Sequence, residues 1–147
     1  MKRGIAAIVG SIVMGIALAQ PAMAEGSWSS YWSYVLTGKD TRTWTDGNND
    51  TAGTVTSFRN CHFYNYTPNT FQDIQVQLTY ENTFTPDENM GQVVYNCGSS
   101  TVWQQYNYGA VKAGKYHETL IYVNGTPTPP NRLDVGTASS PGIKVSY

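Results

Sequence analysis

Alternate residues of one short stretch carry the oxygen donors that calcium prefers, namely Asp46, Asn48 and Asp50. They match the pattern D-x-[DN]-x-[DN], in which a curled loop points every second side chain toward one ion. An EF-hand is excluded, because Thr51 stands where that loop needs glycine and Ser57 where it needs a bidentate glutamate. Asp, Asn and Gly also favour tight turns, so a plain hairpin turn between segments 41–45 and 52–61 is the interpretation we favour over a calcium loop.

Aromatic side chains form the second group with recognisable chemistry, since the chain has four Trp and eleven Tyr. The C–H face of a sugar packs well against an exposed aromatic ring, whereas strands also use such rings to fill a core. Tyr31 breaks the alternation of its neighbours, so we expect at least one ring near it to face solvent. The candidate sugar-binding residues are Trp28, Tyr31, Trp32, Trp103, Tyr106 and Tyr108.

Catalytic patterns are weak throughout the chain. His62 and His117 are the only histidines, and no G-x-S-x-G turn presents a serine nucleophile. No pattern selects two carboxylates for glycoside hydrolysis from the four candidates Asp73, Glu81, Glu88 and Glu118. We therefore expect a protein without catalytic activity that needs no cofactor, calcium being the one candidate ion.

The two cysteines of the chain, Cys61 and Cys97, are expected to form one disulfide. A pair of cysteines in an oxidising compartment most simply bonds to itself. A redox or zinc role is disfavoured, because the cysteines are not in a C-x-x-C arrangement and no histidine spacing completes a metal site.

The first 24 residues are typical of a secretory signal peptide. Lys2 and Arg3 precede an apolar stretch that runs to about Leu18, and residues 22–24 (AMA) supply a small-x-small cleavage site. The apolar stretch is short for a membrane anchor. We therefore predict a secreted, extracellular protein with a single domain over residues 25–147.

The charge of residues 25–147 argues against two classes of partner. They carry seven basic and ten acidic side chains, a net charge of −3, and the basic residues are spread singly. Binding to nucleic acid or to an anionic membrane needs clustered Lys and Arg. We expect neither partner.

Strands must position these groups, because no segment of residues 25–147 has the periodicity of an amphipathic helix. The clearest strand is 71–81, whose apolar and polar residues alternate. Segment 28–36 alternates as well: the apolar residues of its even-numbered positions, which would face one side of a strand, are Trp28, Trp32, Tyr34 and Leu36. Further strands are predicted at 41–45, 52–61, 92–97, 102–106, 115–123, 132–135 and 143–147.

Short strands at this spacing predict an all-β, antiparallel β-sandwich, jelly-roll-like, with about eight or nine strands. The disulfide would join the end of 52–61 to the end of 92–97. Residues 111–117 (VKAGKYH) and 133–135 (LDV) resemble the A-G-x-Y…L-x-V hairpin of bacterial pre-peptidase C-terminal domains. Those domains are secreted jelly rolls that accompany hydrolases, so the resemblance implies the same fold. The layout is also similar to small secreted β-sandwich proteins of Gram-positive bacteria.

Three functions are compatible with these features. The leading hypothesis is a secreted binding protein for polysaccharide or cell-wall polymer that uses exposed aromatic rings. The second is an inhibitor or effector that acts on a secreted hydrolase or a competing cell through the proline-containing loops 84–89 and 126–131. The third is an extracellular matrix component that assembles edge to edge.

Overall fold

The computed structural model describes residues 26–49, 51–64, 73–129 and 131–147, so the predicted signal peptide lies outside the described residues. The described residues contain no helix and form three antiparallel sheets. No helix long and apolar enough to cross a membrane occurs in this part of the chain. Its strands are β1 (Ser27–Ser30), β2 (Trp32–Val35), β3 (Trp44–Asp46), β4 (Val55–Phe58), β5 (Cys61–Phe63), β6 (Asp73–Glu81), β7 (Glu88–Asn96), β8 (Gln104–Asn107), β9 (Gly114–Val123), β10 (Leu133–Val135) and β11 (Ile143–Ser146).

Two of the sheets are consecutive halves of one bent layer. Their strand orders are β1-β11-β4-β8 and β2-β10-β5, and β1 leads directly into β2 as β4 leads into β5. Backbone bonds connect the halves, since the Gly142 N–H donates to the Ser30 carbonyl and the Gly136 N–H to the Asn60 carbonyl. β11 lies between β1 and β4, so this strand is paired on both sides and is not itself an edge of the sheet.

The third sheet, β3-β9-β6-β7, packs face to face against that layer and completes the predicted sandwich. The alternation predicted within 71–81 is confirmed from Asp73 to Leu78, where Ile74, Val76 and Leu78 are fully buried. It is wrong beyond Leu78, because a register shift in the pairing with β7 leaves Thr79 buried and Tyr80 only partly buried, and residues 71–72 lie outside the described residues. Aromatic rings join the layers. Trp28 of β1 lies 5.9 Å from Trp44 of β3, and Phe58 of β4 lies 4.7 Å from Tyr95 of β7, between ring centroids.

The predicted disulfide is confirmed, and it joins the two layers. Cys61 begins β5 in the bent layer, whereas Cys97 follows β7 in the opposite sheet. The backbone reinforces the connection, because the Cys61 N–H donates to the Cys97 carbonyl at 2.8 Å. Both cysteines are fully buried, so this bond forms part of the core.

The described residues contain eleven strands, where we expected eight or nine, because two predicted strands are interrupted. Segment 28–36 breaks at Tyr31, and segment 52–61 breaks at Arg59 and Asn60. Asn60 adopts φ 55°, in the left-handed region that an extended strand does not contain. These breaks divide the bent layer into its two halves.

A buried carboxyl group lies between the layers. Glu118 of β9 is fully buried, and its Oε1 accepts a hydrogen bond of 3.1 Å from the Tyr108 hydroxyl. Its Oε2 has no hydrogen-bond partner in the described part of the chain. Burial disfavours the charged form and raises the pKa of Glu118 to about 7, although hydrogen bonds from Thr56 and Tyr108 oppose the shift.

We predict that Glu118 makes the fold more stable in mild acid. The folded state keeps the Glu118 proton up to about pH 7, whereas an unfolded chain releases it near the ordinary value of 4.5. The stability from this proton is fully present below about pH 4.5 and is lost as the pH rises through about 7. Glu118→Gln stays neutral at every pH. From pH 4.5 to about pH 7, the free energy of unfolding measured in urea should fall by about 3 kcal/mol more for wild type than for Glu118→Gln. Parallel pH profiles for the two proteins would contradict this account.

Candidate functional site

An open groove of about 620 Å³ runs along residues 31–39 and is closed on one side by Arg132. We call it the tyrosine groove, because Tyr31 and Tyr34 line it and are 43% and 55% exposed. The groove begins where β1 gives way to β2 and includes the whole of β2. The interruption of the predicted strand therefore lies within the groove itself.

A β-bulge in β2 turns Tyr34 out of the core. Leu133 pairs with Val35 and Val135 with Trp32, so β2 carries one residue more than the facing part of β10. Tyr34 takes up the extra length with φ 58°, and its N–H donates to Asp134 Oδ1 at 2.7 Å. The expected alternation of segment 28–36 is therefore wrong beyond Trp32, because a bulge reverses the face on which the following side chain lies.

Neighbouring side chains hold the Tyr34 ring. The Tyr64 ring, which is 42% exposed, meets it at 4.8 Å between centroids in an edge-to-face arrangement. The guanidinium carbon of Arg132 lies 4.9 Å from the centre of the Tyr34 ring. Asp134 also lies near His62, with 3.9 Å between its Oδ2 and the His62 Nε2. The exposed ring is thus fixed at its backbone and braced at its side chain.

Of the first group of predicted aromatic residues, the structure exposes Tyr31 alone. Trp28 and Trp32 are 7% and 4% exposed, and they pack on Trp44 and Phe58 respectively. These two tryptophans therefore belong to the core and present no ring face to a ligand, contrary to our expectation. Trp32 also lines the tyrosine groove, so a residue of the core forms part of the groove surface.

The second predicted group lies at the opposite edge of the bent layer, on and beside β8. Trp103 is half-buried under Arg59, whose guanidinium carbon is 4.3 Å from the ring centre. Tyr106 is 45% exposed and meets Tyr108 edge to face at 4.9 Å. The Tyr108 hydroxyl is bound to buried Glu118. This group is therefore separate from the tyrosine groove, and only Tyr106 offers substantial ring surface.

The predicted calcium loop connects the two layers. β3 pairs with β9 whereas β4 pairs with β11 and β8, so the expected hairpin turn is wrong. Asp46 is buried, and its Oδ1 and Oδ2 accept hydrogen bonds from the Asn48 N–H and the Thr54 hydroxyl, at 2.8 and 2.6 Å. Asp50 lies outside the described residues. Within the described ranges no group of three or more His, Cys, Asp or Glu residues is arranged to hold a metal ion.

His117 of β9 lies between the carboxylates of Glu81 and Asp40. Its Nδ1 is 3.0 Å from Glu81 Oε1, and its Nε2 is 4.0 Å from Asp40 Oδ1. The Thr43 hydroxyl donates to Glu81, and this bond together with His117 lowers the pKa of Glu81. The Thr119 hydroxyl donates to Asp40. The hydroxyls of Thr43 and Thr119 therefore each donate to one of the two carboxylates beside His117.

The sequence pattern predicts neither Tyr34 nor Arg132 as a groove residue, nor Tyr64 as the ring beside Tyr34. Parity places Tyr34 on the core side, because a bulge depends on the partner strand and leaves no pattern in its own segment. Tyr64 and Arg132 come together across the β5–β10 pair, where the Tyr64 N–H donates to the Arg132 carbonyl. The irregular position of Tyr31 was the one signal in the sequence that pointed to this surface.

The chain matches no protein-family model, and comparison with curated proteins and with solved structures finds no match. The resemblance to pre-peptidase C-terminal domains therefore stays a prediction.

We predict that the loop after β3 is held by its own hydrogen bonds. Asp46→Ala removes two acceptors from a buried position and leaves the Thr54 hydroxyl unpaired, which should lower the free energy of unfolding by about 2 kcal/mol. The loss should be equal in calcium and in a chelator, measured by thermal or urea unfolding. A calcium-dependent rise in the melting temperature of wild type that disappears in Asp46→Ala would contradict this interpretation.

Proposed function

We propose that this protein is a secreted, non-catalytic binding protein that holds a polysaccharide or cell-wall polymer in the tyrosine groove. The observation that carries the proposal is the pair of exposed rings, Tyr31 and Tyr34, in an open groove rather than scattered over the surface. Flat sugar rings pack on such aromatic surfaces, and an open groove accommodates a chain that extends beyond it at both ends.

The fixed position of Tyr34 supports the proposal. A binding surface that is ordered before the ligand arrives loses little conformational entropy on binding. The bond to Asp134 holds the Tyr34 backbone, and the contacts with Tyr64 and Arg132 restrict its ring. The exposed Ser33 lies in the same groove and supplies a hydroxyl group for the polar edge of a sugar.

We predict that Tyr34→Ala reduces polymer binding at least about tenfold, because taking one large ring out of water contributes about 1.5–3 kcal/mol. Pull-down on insoluble cellulose, chitin and peptidoglycan measures retention. Tyr106→Ala is the matched control, since Tyr106 is similarly exposed but lies at the opposite edge of the layer. Both side chains are about half exposed and each loses one edge-to-face ring contact, so any fall in melting temperature should be small and similar in the two variants.

Two results would overturn the proposal. Retention lost in Tyr106→Ala and kept in Tyr34→Ala would move binding away from the groove. Failure of the wild-type protein to bind any soluble or insoluble polysaccharide would remove the function itself.

A second function, inhibition of a secreted hydrolase, is favoured by Phe84. This residue is 96% exposed in the loop between β6 and β7. The Asn82 N–H donates to Asp87 Oδ1 and the Asn82 side chain to the Pro86 carbonyl, so the loop is closed by its own hydrogen bonds. A rigid loop with an exposed ring at its tip fits insertion into an enzyme cleft.

The inhibitor function predicts that secreted glycosidases or proteases are slowed by the wild-type protein and not by Phe84→Ser. Tyr34→Ala, which leaves the loop intact, should inhibit as well as wild type. Equal inhibition by wild type and Phe84→Ser, or none by either, would count against this function.

A further inference from the structure

The tyrosine groove is positively charged, in contrast to the chain as a whole. Lys39 and Arg132 line it, and no carboxylate of the described residues does. The whole chain has a formal net charge of −1. Resting on the proposed function, we infer that the polymer is acidic and that the groove binds a uronate, a sugar whose ring carries a carboxylate.

The charge of Arg132 is available to a ligand. Its guanidinium group packs on the Tyr34 ring, and among the described residues no hydrogen bond or ion pair engages it. A guanidinium has five N–H donors in a flat fork that matches the two oxygens of a carboxylate. Stacking on Tyr34 holds this fork at the wall of the groove, where no described residue accepts from its donors.

The acidic residues nearest to these cations in sequence are directed elsewhere. Asp134, two positions after Arg132, accepts the N–H of Tyr34 and lies beside His62. Asp40, next to Lys39, accepts the Thr119 hydroxyl and lies near His117. Neither groove cation forms an ion pair with a carboxylate of the described residues, and a ligand carboxylate would supply one.

The arrangement of ring and cation matches one residue of a polyuronate. A hexuronate carries its carboxylate directly on the sugar ring, so its apolar face and its anion are close together. The Arg132 guanidinium already covers one face of the Tyr34 ring, 4.9 Å from its centre. The sugar face would therefore pack on Tyr31, the other exposed ring of the groove, while its carboxylate accepts two N–H bonds from Arg132. Lys39 would attract the carboxylate of an adjacent sugar as a point charge.

Polygalacturonate and its fully methyl-esterified form test this inference, because they share one backbone and differ in charge. A sulfated glucan is the third probe. Affinity gel electrophoresis should show wild type binding polygalacturonate at least about tenfold more tightly than the ester or the sulfated glucan, with the preference falling as salt rises. Arg132→Gln should abolish the preference. Arg132→Lys should keep only part of it, since ammonium lacks the fork.

Arg42→Gln is the matched control. Arg42 is also an exposed arginine over an aromatic ring, 5.2 Å from the centre of Trp28, but it does not line the groove. Its variant should bind polygalacturonate as wild type does. Circular dichroism melts of all variants would exclude unfolding as the cause of any loss.

Each other outcome overturns a different statement. Equal binding of polygalacturonate and its ester, lost in Tyr34→Ala, overturns the inference and leaves the groove as a site for neutral polymer. Equal or tighter binding of the sulfated glucan, dependent on Arg132, overturns the carboxylate assignment. Absence of binding to these and to neutral polymers overturns the proposed function together with the inference.

Discussion

The surface geometry of this protein depends on one extra residue in β2. Where β10 passes from Leu133 to Val135, β2 passes from Trp32 to Val35. The surplus is accommodated by the left-handed backbone of Tyr34, whose N–H is bound to Asp134. One four-residue strand can then place Trp32 in the core and Tyr34 in the groove. A regular strand would have turned both rings inward and left Tyr31 as the one exposed ring among the described residues of the groove.

The rest of the sandwich makes that strand a rigid support. The disulfide between Cys61 and Cys97 connects the layers, and stacked aromatic rings fill the space between them. Glu118, buried in the same core, favours folding below about pH 7. Carboxylates ionise near pH 4. Between about pH 4 and about pH 7, the Glu118 proton therefore stabilises the fold while a uronate ligand and Arg132 are both charged.

Much of the architecture follows from local sequence signals. Alternation revealed β6, and the cysteine pair in a predicted exported chain indicated the disulfide. What could not be predicted depends on partners distant in sequence. The outward turn of Tyr34 requires the register of β10, and the burial of Trp28 requires the position of Trp44. The residues that follow β3, beginning at Asp46, have the composition of a hairpin turn. Nothing in that segment shows that β3 and β4 belong to different sheets.

The most direct test of the central claim, that polymer binds in the tyrosine groove, is hydrogen–deuterium exchange with and without an oligogalacturonate. Backbone amides respond wherever a ligand orders or covers the chain, so the measurement locates the site without a variant. The account predicts slower exchange in segment 31–39 and around Arg132. Slower exchange confined to the loop that carries Phe84, or to β8 and its neighbours, would contradict it.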